Sequence, residues 1–211
     1  ETVPVLEKAK SVCSDSSLPY YYLGNLYYNI QPDNAIREWE KCVAIQPDND
    51  LAWRNLGWAH WLHTKDYAKS ADCYRKALGT PVQERYDLLK SHHATAEKRY
   101  YPLAQEVITG TYVGDYDYVL DLLDRCYFPT REGVANFHDN FVDALILAGE
   151  EKIAEGKVEQ AVTLYKKAFT YPENHQVFLV DERATHDAQI NYCLGEAYAA
   201  LGQDAEAEKY W

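Results

Sequence analysis

Tyr20-Tyr21-Tyr22-Leu23-Gly24-Asn25-Leu26-Tyr27 and Trp53-Arg54-Asn55-Leu56-Gly57-Trp58-Ala59-His60 are near copies of one another, and Asn191-Tyr192-Cys193-Leu194-Gly195-Glu196-Ala197-Tyr198 is a third version. In the first two, a large aromatic is followed three residues later by Leu-Gly, and another ring-bearing residue comes three after the Gly. A period of roughly 34 residues is the mark of a stacked helical solenoid, in which each hairpin buries its apolar face against the next. The predicted fold class is therefore all-α, an α-α superhelix of about six helical hairpins.

Bulk composition excludes several kinds of partner. The formal charge is -12, from 33 acidic against 21 basic residues, and the longest basic clusters are the pairs Lys98-Arg99 and Lys166-Lys167. A phosphate backbone needs several cations on one face, so no nucleic acid is expected, and the same acidity argues against an anionic membrane surface. No apolar run reaches the length of a membrane span, and Glu1-Thr2-Val3-Pro4 lacks the layout of a signal peptide. The chain does not begin with Met and reads as a piece of a longer protein. Its five cysteines, Cys13, Cys42, Cys73, Cys126 and Cys193, are odd in number and without a C-x-x-C pair, which points to reduced thiols and a cytoplasmic location.

The pattern resembles the tetratricopeptide repeat, which places an aromatic, Leu-Gly and Tyr or Ala on a first helix, then small, aromatic and small residues on a second, closing with Pro. The first full unit supplies Tyr20, Leu23, Gly24 and Tyr27, then Ala35, Trp39, Cys42 and Pro47. The next supplies Trp53, Leu56, Gly57 and His60, then Ser70, Tyr74, Ala77 and Pro81. Gly24 and Gly57 are expected to face Ala35 and Ser70 so that the two backbones approach closely, with Trp39 and Tyr74 filling the space between neighbouring hairpins. Units are predicted near 18–49, 50–81, 82–99 (partial), 100–127, 135–172 and 186–211 (truncated). The middle is irregular. Two inserts interrupt the pattern, Phe128-Pro129-Thr130-Arg131-Glu132-Gly133 and the stretch from Glu173 to Thr185, whose Gln176-Val177-Phe178-Leu179-Val180 could be extended. Inserts on a scaffold of this kind are where function often sits.

A narrower resemblance rests on Leu18-Pro19-Tyr20-Tyr21-Tyr22-Leu23-Gly24-Asn25-Leu26-Tyr27-Tyr28, on Ala52-Trp53-Arg54-Asn55-Leu56-Gly57, and on the Phe128-Pro129 and Tyr171-Pro172-Glu173-Asn174 inserts. It is similar to the helical tail of large bacterial proteins whose β-rich N-terminal domain looks like a sugar mutarotase. That resemblance implies docking onto an N-terminal domain of the same chain.

His60 and His63 sit three apart on a helix, but His60 occupies a packing position. His92 and His93 are adjacent and point about 100° apart. Asp115-x-Asp117 lacks the Gly and Glu of a calcium loop. His138-Asp139 with Cys126 could form a Cys-His pair, although nothing in the spacing sets their geometry. No catalytic residue, metal site or cofactor is expected. The candidate ligand-contacting residues are those that the register turns to the concave face: Tyr21, Asn25 and Tyr28 in one unit, and Arg54, Asn55, Trp58 and Trp61 in the next. Rings separated by amides and a guanidinium suit a peptide or a sugar. Some tetratricopeptide domains clamp a C-terminal carboxylate with Lys, Asn and Arg; Asn25 and Asn55 match the asparagines, but Tyr21 replaces the lysine. The expected function is a non-enzymatic interaction scaffold for a protein, a peptide or a companion domain, with homo-oligomerisation through the solenoid ends as a further option. The alternative is an accessory helical domain of a bacterial carbohydrate-processing enzyme, contributing to a sugar site.

Overall fold

A computed structural model describes residues 2–79, 93–126, 128, 137–175 and 183–211. Its regular elements are helices: α1 (Thr2–Val12), α2 (Leu18–Tyr27), α3 (Pro32–Ile45), α4 (Asp50–Ala59), α5 (Tyr67–Leu78), α6 (His93–Val113), α7 (Tyr116–Arg125), α8 (Phe137–Ala154), α9 (Val158–Ala168), α10 (Arg183–Ala200) and α11 (Asp204–Ala207). Among the described residues the only β-type pairing is an isolated bridge between Phe128 and His175. The partial unit expected over 82–99 falls largely outside the described residues, as do Pro129 to Gly133, Gln176 to Val180 and His92.

The chain divides into two compact units. The first holds α1 to α5 with residues 97–109 of α6; the second runs from Gly110 at the end of α6 through α11.

In the first unit, local chemistry fixes where each helix begins. Pro32 opens α3, where its missing N–H costs nothing. Asn49 and Asp66 cap α4 and α5, their side-chain oxygens accepting from the backbone N–H of Ala52 (3.0 Å) and Lys69 (3.1 Å). α4 continues into a π-helical turn, His60–Thr64, ended by Lys65 in the left-handed region at φ 57. The core joins Ala35, Ile36, Trp39, Cys42 and Val43 of α3 to Ala52, Leu56 and Ala59 of α4 and Cys73 of α5, with Tyr20, Tyr21, Tyr27, Tyr28 and Trp53 packed around it. Glu106, fully buried on α6, meets Arg75 at 3.8 Å.

The glycines show what the large rings rest on. A Cβ on Gly24 would run into the indole of Trp39, and one on Gly57 would lie 2.9 Å from the ring of Tyr74. The large rings therefore lie against the glycine of their own hairpin, and Trp39 also shares its core and pocket with residues of the next hairpin. The three atoms nearest that position on Gly24 all belong to the Trp39 indole. Ser70 does meet Gly57, donating to its carbonyl at 2.8 Å. The physical reason is that a ring laid flat across the first helix needs a position without a side chain, and only Gly supplies one.

The second unit repeats this device. Gly149 on α8 lies under Tyr165 of α9, and Gly195 on α10 lies under Trp211. Its core contains Val119, Leu122 and Leu123 of α7, Phe137, Phe141, Val142 and Leu145 of α8, Ala161 and Tyr165 of α9, and Ile190 and Leu194 of α10. Tight turns reverse the chain at Gly114 (φ +80) and Gly156 (φ +76), conformations that cost a side-chain-bearing residue.

Candidate functional site

The interior of the first unit supplies the frame of a small site between α2 and α4. Trp39 crosses from α3 and its indole Nε1–H donates to the Asn25 side-chain oxygen (3.1 Å) and towards the Tyr21 carbonyl (3.3 Å). The same Asn25 oxygen accepts from Asn55 Nδ2 at 3.0 Å, and Asn55 Oδ1 accepts from Arg54 Nη2 at 3.3 Å. Asparagines of successive hairpins, one directly after Gly24 and the other directly before Leu56, are thereby joined into one polar strand running from indole to guanidinium. The two bonds to its oxygen fix which end of the Asn25 amide is which.

Around this strand stand aromatic walls. Tyr28 lies 5.7 Å from Trp39 between centroids and meets His63 edge-on at 5.2 Å. Asn25, Tyr28, Trp39, Asn55 and Trp58 together line a pocket of about 140 Å³. Of the residues singled out in the sequence, four thus converge on the pocket. Arg54 reaches it through Asn55, and Tyr21 through its carbonyl, its ring being turned to Tyr22 at 5.4 Å. Trp61, on the π-helical turn, packs on Tyr67 at 4.8 Å and is not among the lining residues. Trp39 is the member that sequence reasoning assigned to packing alone. A tryptophan whose ring fills the core still brings an indole N–H that must find an acceptor, and that requirement was the available signal.

Two wider grooves flank the helices. One, of about 420 Å³, is bordered by Glu40, Trp53, His60, Lys69, Asp72 and Cys73 in the first unit. The other, of about 330 Å³, is bordered by Glu150, Tyr165, Tyr192, Cys193 and Glu196 in the second. Burial pushes the Cys73 thiol up to about 12 and raises Cys193 as well. Neither groove therefore offers a thiolate nucleophile at neutral pH. His60 is buried, with its pKa lowered chiefly by that burial, and its Nδ1 meets Thr64 Oγ1 at 3.1 Å. His63 turns instead to Tyr28, so these two histidines diverge.

The inserts do meet, at the end of α7. Asn174 Nδ2 donates to the carbonyls of Leu123 (2.7 Å) and Cys126 (2.6 Å), His175 Nε2–H donates to Leu123 (2.7 Å), and Phe128 N–H donates to Asn174 O (2.9 Å). The segment after α9 thus caps the orphan carbonyls of α7. Phe128 stacks on Phe137 at 4.8 Å and, with Phe141, meets the ring of His175 edge-on.

Burial drives His175 down to about 4; the Leu123 carbonyl and Asp124 oppose the shift, while His138 and Lys167 add to it. Its Nδ1 is buried without a partner among the described residues, so a second proton there would be an unsatisfied buried charge. A histidine of depressed pKa binds fewer protons folded than unfolded, so stability rises with pH between the two values. It is complete above the unfolded value near 6.5 and is lost as pH falls towards 4. Denaturant melts at pH 7 and pH 5 should differ by about 1 to 2 kcal/mol in wild type and by much less in His175→Gln.

A further grouping joins elements far apart in sequence. His138 and Asp139 at the start of α8 lie beside His186 of α10, their donor atoms all within 4.8 Å of one another. Cys126, weighed beside His138-Asp139 in the sequence, is not one of the three residues of this grouping.

No known protein-family model matches the chain. Among solved structures it is similar to YrrB, a TPR protein with an unusual peptide-binding site (16% identity, 97% of this chain and 88% of that one, TM-score 0.47). It is similar also to MamA (16% identity, 93% and 88%, TM-score 0.50) and to PilW, a widely conserved type IV pilus biogenesis factor (18% identity, 97% and 79%, TM-score 0.41). The fold is all-α and tetratricopeptide-like.

Proposed function

We propose that the chain is a non-enzymatic interaction module whose first unit grips an extended peptide segment at the face formed by Asn25, Tyr28, Asn55 and Trp58. The observation that carries this reading is the size and lining of the pocket. About 140 Å³ admits a single side chain, whereas pockets that enclose a metabolite run to roughly 300 to 1,000 Å³. Three rings supply apolar contact, and the NH2 of Asn25 supplies a donor for a peptide carbonyl. The ligand that fits is an extended stretch with one bulky apolar side chain and a backbone carbonyl beside it. A segment of a companion domain in the same polypeptide would present the same chemistry. No particular observation favours the sugar-site alternative, so it enters as an arm of the test.

Display selection of peptides on the full chain, followed by fluorescence titration of the enriched sequences, tests the reading. Trp58→Ala should weaken those peptides by at least about tenfold, as expected of a central aromatic anchor. Asn55→Ala should weaken them less, while both variants keep the wild-type helical signal. Peptides that bind both variants as tightly as wild type would overturn the assignment of this face. Oligosaccharide binding abolished by Trp58→Ala, with no peptide selected, would replace it with the sugar site.

A further inference from the structure

We infer that His138, Asp139 and His186 form a binding site for a divalent transition-metal ion of the zinc class. Imidazole and carboxylate are the ligands such ions take, and three protein donors with an open position are a common complement. His186 Nδ1 stands 3.6 Å from Asp139 Oδ1. Neighbouring donors in a tetrahedral zinc site are about 3.3 Å apart, given metal–ligand bonds of about 2.0 to 2.1 Å. The third donor lies within 4.8 Å of both, so closure by at most about 1.5 Å brings all three onto one ion.

Two further observations fit a ligand rather than a packing histidine. The Nε2–H of His138 donates to the Thr170 carbonyl at 3.1 Å. A ring N–H held by a backbone carbonyl is the usual support of a metal-bound imidazole. The ring is fixed as well, lying parallel to Tyr171 with 4.1 Å between centroids and 2° between planes. Adjacent helical side chains diverge, which is why His138-Asp139 alone gave no metal signal. The third donor arrives from α10, far along the chain, where no sequence spacing could announce it. Asp139 and His186 remain partly exposed at 33% and 20%, so an ion has a route in.

An ion here ties the start of α8 to α10 and, through His138, to the segment after α9. Titrating the full chain with Co²⁺ or Zn²⁺ alone should show one ion per chain, with the visible bands of a low-symmetry cobalt site. Saturating Zn²⁺ should raise Tm by several degrees, as any ligand of the folded state alone must. His186→Ala and Asp139→Asn should each weaken binding by at least about tenfold with the helical signal intact, following the loss of a direct ligand. The double variant His60→Ala/His63→Ala should bind as wild type does. Absence of stoichiometric binding in wild type, or binding unaffected by both His186→Ala and Asp139→Asn, would overturn the inference.

Discussion

Trp39→Ala should cost the first unit about 3 to 5 kcal/mol, the range for a large aromatic removed from a well-packed interior. The indole is 2% exposed, lies over Gly24, and stands 5.7 Å from Tyr28. Gly24 cannot move into the vacated space, because it has no side chain to move. The cavity therefore stays open and the loss sits near the top of the range. The second consequence is local: without Nε1–H, the Asn25 amide loses one of the two bonds that orient it. Trp39→Phe separates the effects, since it keeps most of the apolar contact and deletes the donor. It should cost about 1 to 2 kcal/mol and still weaken peptide binding at the Asn25 face. Urea melts of the three proteins give the first comparison and peptide titration the second.

How much of this was legible in the sequence depends on whether a feature is local. The Leu-Gly hairpins were readable because helical periodicity, turn glycines and prolines act within one repeat. The rings over glycines were half readable: Gly24 and Trp39 were both singled out, but not their contact with each other. Periodicity gives the face of a helix and not the direction in which a long side chain lies. The pocket residues Asn25 and Asn55 were found because helical register puts each on one face of its first helix, although they hold different positions in the repeat. By contrast, the cap that Asn174 and His175 place on α7 links residues about fifty positions apart, and no repeat rule relates them. Buried Glu106 was invisible for the same reason, its partner Arg75 lying on another helix. The His138, Asp139 and His186 grouping belongs to this nonlocal class.

Tyr165→Ala should destabilise the second unit by about 3 to 5 kcal/mol, and Gly149→Ala by about 1 to 2 kcal/mol. The smaller figure has two parts of opposite sign. A methyl on Gly149 would lie inside the ring of Tyr165, which is 2% exposed and hemmed in, so overpacking costs about 1 to 3 kcal/mol. Replacing Gly within a helix returns up to about 1 kcal/mol through propensity. The two substitutions act on one contact and cannot be additive. In the double variant the new methyl enters space the ring has left, and the overpacking term vanishes while the propensity gain remains. The double variant should therefore be more stable than the sum of the singles by about 1 to 3 kcal/mol. Gly156 is the control, because nothing lies within 4 Å of its Cβ position and only its φ of +76 resists a side chain. Gly156→Ala should cost about 1 kcal/mol from backbone strain and add independently to Tyr165→Ala. An additive cycle at Gly149 and Tyr165 would mean that the ring does not rest on the glycine in solution, and the close approach of α8 and α9 would need another cause.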